Sequence, residues 1–361
     1  MLSVAKMSSS VPATMKALVK EKESESYIYK EIPVPDPQED EVLIRVDCVA
    51  ICGSDINLYK WNDIARVIAS IPFVPGHECA GTVVKCGPKA SLPLGSKVGV
   101  ENHFFCGSCY QCKFDNPAIC RNMGQFGHGK LTQHGGCSEY SIVQQKYLYQ
   151  LKRDLTPEEI AMLEPLGVSH NAIEKLEVKD EEVLVIGCGP VGLLAQAVAK
   201  ALGAKRVIGA DIDETRLELA KKMGADIIVN TMKENLKEFV MKHTDGLGIG
   251  RICECSGAPT MVNSSFGMLR KGGHIVMVGL PKEPLHVENV LQDVVFKSLT
   301  LKTVHGRQIY HTWSEVENLV ADKKIDVNKI ISHKFQMSHF EEAFSALFSG
   351  KACKIVIYPS A

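Results

Sequence analysis

Cys106, Cys109, Cys112 and Cys120 form a C-x2-C-x2-C-x7-C run. Four thiolates on one loop are enough to close a tetrahedral zinc site, and a closed site leaves no position for substrate, so the expected role is structural. The spacing is not far from that of iron–sulfur-binding runs, which stand as the alternative. A second set of chemically able residues is dispersed: Cys52 in Ile51-Cys52-Gly53-Ser54-Asp55, His77 and Glu78 in Gly76-His77-Glu78, and Glu164 in Leu163-Glu164-Pro165-Leu166. Alone, each fragment is ordinary, because a single cysteine behaves as a small hydrophobe and a single histidine as a packed or solvated side chain. Their joint occurrence in one chain makes them a candidate site.

Gly187-Cys188-Gly189-Pro190-Val191-Gly192 matches G-x-G-x-x-G. Placed between a strand and a helix, Gly187, Gly189 and Gly192 let the backbone approach a pyrophosphate at the positive helix terminus. Asp211 ends the next strand about twenty residues on, where an acid accepts from adenosine ribose hydroxyls and repels a 2′-phosphate. NAD is therefore expected over NADP, although Arg206 and Arg216 lie nearby.

Two kinds of element must position these groups. From Ala17 to about Leu151 short β-rich runs alternate with Pro and acidic clusters, as in Glu41-Val42-Leu43-Ile44-Arg45-Val46, the texture of antiparallel strands. At Thr156-Pro157-Glu158-Glu159 the texture changes, with proline at a first helical position and acids in the first turn. Val183 to Ile186, a glycine turn, a helix through Ala201 and Arg206 to Asp211 then form a βαβ unit. Further strands at Ile227–Val229, Ile252–Cys255, His274–Val278 and Leu299–Leu301 complete a doubly wound parallel sheet. The strand-like Ile355 to Tyr358 returns to the first unit. The expected division is an extension over residues 1–14, a catalytic unit over 15–165 and 307–361, and a cofactor unit over 166–306.

Composition excludes other classes. The chain has 361 residues, 45% of them hydrophobic, and a formal net charge of −1. That is enough for two cores, and it carries no basic run for nucleic acid or an anionic membrane. No apolar run approaches the roughly 20 residues that span a bilayer. Thirteen cysteines in a chain this long suit reduced thiols and metal rather than a disulfide scaffold. A reducing compartment follows, the cytoplasm, with the mitochondrial matrix as the alternative if the first fourteen residues act as a presequence.

From about Met15 to its end the sequence resembles the zinc-dependent medium-chain dehydrogenases. Ile51 to Asp55 with Trp61, Asp211-Ile212-Asp213-Glu214-Thr215-Arg216-Leu217, and Val304-His305-Gly306-Arg307-Gln308 with Thr312-Trp313 are most similar to the branch that oxidises β-hydroxy amino acids, the threonine dehydrogenases. Polyol dehydrogenases come next. The resemblance implies a GroES-like catalytic domain beside a Rossmann cofactor domain. It also implies two zinc ions, one held by Cys52, His77, Glu164 and an exchangeable Glu78, the other by the four-cysteine lobe. For NAD it implies contacts from Val191 beside the pyrophosphate turn, Asp211 and Arg216 at the adenosine, and Val278, Gly279, Leu280, Val304 and His305 near the nicotinamide. A homodimer or homotetramer acting on a small-molecule alcohol is expected.

In that chemistry the Ser54 hydroxyl starts a proton relay. The family ends the relay on a histidine five residues after the zinc cysteine, where this chain has Asn57, which cannot titrate. The outlet is then water or another group such as His103, which matches a histidine close to substrate in threonine dehydrogenases. The stretch Phe126 to Gly136 does not match the family residue by residue. Its histidines and Lys130 could line the substrate mouth, but a glycine-rich loop with scattered polar residues is expected at the surface. For a substrate carboxylate, Lys130 and Arg307 are the candidate cations. Three readings follow: a β-hydroxy amino acid dehydrogenase, a polyol or diol dehydrogenase, and an NAD-binding sensor without turnover.

Overall fold

The computed structural model describes residues 11–114, 116–281 and 283–360. The first ten residues of the expected extension lie outside the described part. The first strand, Thr14–Val19, begins one residue before the expected boundary, and Ala13 O accepts from Val34 N at 3.0 Å.

A seven-stranded sheet runs in the order Ile331–Gln336, Lys354–Tyr358, Glu41–Ile51, Glu78–Cys86, Lys97–Val100 and Leu148–Gln150, with Tyr140–Gln144 paired to the early part of Glu41–Ile51. Lys354–Tyr358 is antiparallel to Glu41–Ile51, with Val356 opposite Ala50, so the last residues do rejoin the first sheet. A six-stranded, all-parallel sheet has the order Ile227–Asn230, Arg206–Asp211, Glu182–Ile186, Ile249–Glu254, Leu269–Met277 and Thr300–Thr303. Strand order reverses beside Glu182–Ile186, which is where ligands bind in doubly wound sheets.

The helix Pro157–Leu176 joins the two sheets. Thr156 caps it: its hydroxyl accepts from Glu159 N at 3.2 Å and its N–H donates to the Glu159 carboxylate at 2.9 Å, a box worth about 1 kcal/mol. Ile160, Leu163, Leu166 and Ile173 are buried in a single apolar cluster. That cluster also holds Cys48, Ala50 and Ala80 of the first sheet, and Val183, Val185, Cys253 and Val276 of the second. The expected domain boundary at residue 165 therefore falls inside a helix, because its apolar residues serve both sheets. Among the described residues no helix is long and apolar enough to cross a membrane.

The Phe126–Gly136 segment departs from expectation. Phe126 is fully buried, His128 is 2% exposed and Gly135 and Gly136 are buried. Its glycines allow this: a Cβ on Gly129 (φ +76°) would fall 1.8 Å from Ser70 O, and one on Gly135 would fall 2.0 Å from Val74 O. They serve close packing onto the chain that leads to His77.

Candidate active site and metal centres

Cys52 follows the first long strand and caps the helix Gly53–Lys60. Asp55, one turn on, accepts from Cys52 N at 2.8 Å through Oδ2 and presents Oδ1 to His77 Nδ1 at 3.5 Å. His77 and Glu78 enter at the start of the neighbouring strand, through Gly76 at φ +92°. One ligand atom from each of Cys52, His77 and Glu78 lies within 4.8 Å of the others. His77 Nδ1 and Asp55 Oδ1 are buried without a hydrogen bond among the described residues, and Glu78 Oε2 has only its ion pair with Lys354 Nζ at 2.5 Å. Against the effect of burial, Asp55 raises the His77 pKa, and His77 in turn holds Asp55 low.

Glu78 is fully buried, and Lys354 Nζ donates to its Oε1 at 2.6 Å. Burial pushes Glu78 up to about 6, Lys354 pulls it back, and the charge of Glu164 pushes it up again. A thiol, an imidazole and a carboxylate so converged, with anionic charge in excess, fit a divalent zinc ion.

Glu164, expected as a ligand, stands outside this group of three. Arg307 Nη1 donates to its Oε1, which also accepts from Asn102 Nδ2 at 3.0 Å. A buried carboxylate goes to the strongest cation in reach, and here that is a guanidinium. Arg307 is fully buried and also binds Glu101, through Nε to Oε2 at 3.1 Å and Nη2 to Oε1 at 2.6 Å. Against burial, Arg307 then holds Glu101 and Glu164 below the carboxylate range. Glu101 Oε2 accepts from the indole N–H of buried Trp313 at 2.8 Å, and Glu101 Oε1 lies 3.0 Å from His103 Nδ1. Neither candidate cation for a substrate carboxylate is free: Arg307 is committed to two glutamates, and Lys130 Nζ donates to Val67 O at 2.5 Å.

Ser54 sits two residues past Cys52, partly buried in the first turn of the helix. Asn57 accepts from Asn62 Nδ2 at 2.8 Å, a neutral amide pair. His128 lies with its ring 5.0 Å from that of His77 and its Nδ1 3.1 Å from Phe126 O.

In the cysteine lobe all four sulfurs lie within 4.8 Å of one another. Cys106–Cys112 is 4.0 Å, Cys109–Cys112 3.5 Å and Cys109–Cys120 3.8 Å. Tetrahedral bonds of about 2.3 Å to one zinc place sulfurs about 3.8 Å apart, so the cage suits a single ion rather than a multi-iron cluster. The Ser108 hydroxyl and then backbone N–H groups lower the Cys106 thiol to about 5. The lobe touches the rest of the site: Asn116 Nδ2 donates to Arg307 O at 3.2 Å, and His305 Nδ1 to Ala118 O at 3.2 Å.

The three glycines of the phosphate turn have separate tasks. Gly187 has φ +92°, and a Cβ there would meet Ser256 N at 2.8 Å. A Cβ on Gly192 would fall 1.8 Å from Gly187 O. Gly189 opens onto empty space at the start of the helix Pro190–Ala201. They turn the chain, pack helix on strand, and leave backbone exposed to a pyrophosphate. Val191 follows in the first helical turn, its carbonyl accepting from Ser169. Asp211 accepts from Cys188 N at 2.6 Å, Ile212 N at 2.8 Å and Asp213 N at 3.0 Å, which leaves one of about four lone-pair sites for a ribose. Beyond it a cavity of about 640 Å³ is lined by Asp213, Thr215, Arg216, Lys351 and Cys353 among others. Val278 and Gly279 both donate to Glu254 O, Val304 donates to Met277 O, and Leu280 is exposed. These residues follow the carboxyl ends of the two adjacent strands.

Asp55, Lys354, Glu101, Asn102 and Trp313 are the site residues that sequence reasoning missed, whereas His128 lies in the stretch whose histidines were candidates for the substrate mouth. Only Asp55 carries a local signal, an acid three residues after a helix cap.

Two family sequence models match: an alcohol dehydrogenase GroES-like domain over residues 38–153 and a zinc-binding dehydrogenase over residues 190–322. The chain is 38% identical over 348 residues to L-threonine 3-dehydrogenase of Thermococcus kodakarensis, covering 96% of this chain and 98% of that one. It is 35% identical over 347 residues to the Bacillus subtilis enzyme of the same name, covering 96% and 99%. Among solved structures, 2R,3R-butanediol dehydrogenase from Bacillus subtilis superposes with a TM-score of 0.86 at 27% identity, over 96% of this chain and all of that one. With sequence models matched on both sheets and relatives matched along nearly its whole length, the chain belongs to the zinc-dependent medium-chain alcohol dehydrogenases.

Proposed function

We propose that the protein is an NAD-dependent L-threonine 3-dehydrogenase, or a close β-hydroxy amino acid dehydrogenase. It oxidises a secondary hydroxyl by hydride transfer to nicotinamide. The observation that carries the reading is the near-full-length similarity to enzymes of that name. In this reading Cys52, His77 and Glu78 hold a catalytic zinc, Glu164 becomes a further donor when its pair with Arg307 opens, and Cys106, Cys109, Cys112 and Cys120 hold a structural one. Bound there, zinc supplies Lewis-acid polarisation of the substrate oxygen and NAD supplies the hydride-accepting ring.

The chain's own residues do the rest. Asp55 orients His77 through its outer nitrogen. Gly187, Gly189, Val191 and Gly192 seat the pyrophosphate, while Asp211 and Arg216 hold the adenosine. Val278, Gly279, Leu280, Val304 and His305 border the nicotinamide. Ser54 takes part in removing the hydroxyl proton, and His103 stands beside the substrate. The division into a catalytic unit (15–165 and 307–361) and a cofactor unit (166–306) belongs to this reading, with the two units sharing one helix.

A homodimer or homotetramer is part of the proposal. The edge strand Thr300–Thr303 has one unpaired side among the described residues, and Leu285, Val290, Leu291, Val295, Phe296 and Leu301 nearby are each 46–57% exposed, a surface that a second copy would cover. Thirteen unpaired thiols suit the cytoplasm.

A polyol or diol dehydrogenase is the second reading, favoured by the similarity in fold to butanediol dehydrogenase and by the commitment of Arg307 to two glutamates. The test is NAD reduction with threonine, sorbitol, xylitol and 2,3-butanediol, using enzyme of measured zinc content. Threonine turnover with two zincs per chain supports the proposal, and polyol-only turnover replaces it with the second reading.

A further inference from the structure

We propose that Glu254 makes the cofactor site sensitive to charge: its buried carboxylate strengthens binding of the oxidised, cationic nicotinamide ring over the reduced, neutral one, and so favours alcohol oxidation and release of NADH. The inference rests on the reading above that Val278, Gly279 and Leu280 border the nicotinamide.

Glu254 closes the strand Ile249–Glu254, which pairs with Glu182–Ile186 on one side and Leu269–Met277 on the other. It stands at the carboxyl ends of the strands, next to the reversal of strand order, where a doubly wound sheet receives its ligand. Its side chain is completely buried. Oε1 accepts from Ser256 N at 3.0 Å, from the Ser256 hydroxyl and from Gly257 N at 3.2 Å, and Oε2 accepts from Gly257 N at 3.1 Å. Both oxygens accept and neither donates, the pattern of a carboxylate.

This carboxylate has no ion pair among the described residues. The buried acids of the metal site do: Glu78 holds Lys354, and Glu101 and Glu164 share Arg307. The arginines nearest Glu254 in the chain, Arg251 and Arg270, turn to Glu181 instead. A buried charge with only neutral donors lowers stability, and its field reaches far in the low-dielectric interior.

The charge lies against the loop assigned to the nicotinamide. Glu254 O accepts from Val278 N at 2.8 Å and Gly279 N at 2.9 Å, and a Cβ on Gly279 would fall 2.8 Å from Oε2 and 2.3 Å from Gly257 N. One residue thus ties the Ser256–Gly257 turn to the Val278–Leu280 loop, and glycine lets that loop rest on the carboxylate. The same turn touches the phosphate loop, since a Cβ on Gly187 would meet Ser256 N at 2.8 Å.

An anion fixed there discriminates between the two redox states of one ligand. The oxidised ring is a cation and is attracted; hydride from the alcohol C–H makes it neutral, and the attraction is lost while the other contacts of the cofactor remain. The pyrophosphate carries the same charge in both states, so its repulsion by Glu254 cancels from the comparison. Losing the attraction on reduction eases departure of the product cofactor. Glu254 exchanges no proton in this scheme and acts as a specificity-determining residue.

The test is equilibrium binding to full-length zinc-loaded protein without substrate, by calorimetry for NAD and ADP-ribose and by nucleotide fluorescence for NADH. Glu254→Gln removes the charge at nearly constant volume. Its Kd for NAD should rise about fivefold or more relative to its Kd for NADH, while ADP-ribose, which lacks the ring, keeps its Kd. Ser256→Lys, at an exposed position and therefore tolerable even if the buried variant does not fold, sets a cation beside the same carboxylate. It should shift the ratio of the two Kd values in the same direction. A ratio that stays fixed in every variant that folds, or an equal loss of NAD, NADH and ADP-ribose, makes Glu254 a turn cap and overturns the proposal. Unaltered protein that binds neither NAD nor NADH refutes the cofactor reading itself and the proposal with it.

Discussion

Lys354 Nζ donates to Oε1 of Glu78 at 2.6 Å, with both side chains buried and the two residues 276 positions apart in the chain. The pair sets the charge of the Cys52–His77–Glu78 cluster before any metal arrives. Lys354→Met leaves Glu78 a buried carboxylate without its cation, a loss of about 3–5 kcal/mol, unless a metal replaces the lost charge. Calorimetry of the variant with and without zinc should show a much larger loss in the zinc-free protein. Equal losses would separate Glu78 from the metal.

Asp55→Asn keeps the hydrogen bond from Cys52 N but removes the negative partner of His77. Zinc affinity, measured by competition with a chromophoric chelator, should fall about 10- to 100-fold. An unchanged affinity would mean that the 3.5 Å contact does not tune the ligand.

Gly189 and Gly192 should part company under the same substitution. Gly189→Ala meets nothing within 4 Å, so thermal stability should hold while the Kd for NAD rises about tenfold or more. Gly192→Ala drives a methyl to 1.8 Å from Gly187 O and should destabilise the whole protein by at least 1–3 kcal/mol. Parallel denaturation and NAD titration would show whether the two effects separate as stated.

Acid sensitivity should have a source outside the active site. Glu158 pairs with Lys334 and accepts from the Tyr358 hydroxyl, and these contacts outweigh burial to bring it down to about 2. A depressed carboxylate contributes stability that is complete above its unfolded value near 4.5 and is lost as pH falls towards 2. The Tm of Glu158→Gln should therefore fall less steeply than that of the unaltered protein between pH 4.5 and 2.5. The same slope in both would place the acid-labile group elsewhere.

Removing one wall of the sulfur cage tests the second metal. Cys109→Ser should leave one zinc per chain by elemental analysis. It should also loosen the contacts of Asn116 and Ala118 with the His305–Arg307 segment, visible as faster amide exchange there.

What was legible in the sequence is what lies close together along it. The phosphate turn and the four cysteines announce themselves because every partner falls within a few residues, and Thr156-Pro157 marks a helix start for the same reason. The environment of Glu164 was not legible. Its charge partner Arg307 is 143 residues away and shares Glu101 with His103, and nothing near residue 164 encodes that competition. Glycines in the Phe126–Gly136 stretch were read as surface because glycine accompanies loops, whereas here they mark close approach of two backbones. Edges of the parallel strands moved by up to five residues, as with Leu269–Met277 against the expected His274–Val278, since pairing with neighbours sets strand length more than local composition does.

The helix Pro157–Leu176 carries a consequence for how such enzymes can be recombined. Its buried residues belong to a core continuous from one sheet to the other, so the two halves of the molecule are not exchangeable cassettes. A chimaera spliced at residue 165 would join half-helices shaped for different neighbours, with Glu164 on one side of the seam and its carboxyl-side packing on the other. A viable hybrid must take the helix whole and repack whichever sheet it did not come with.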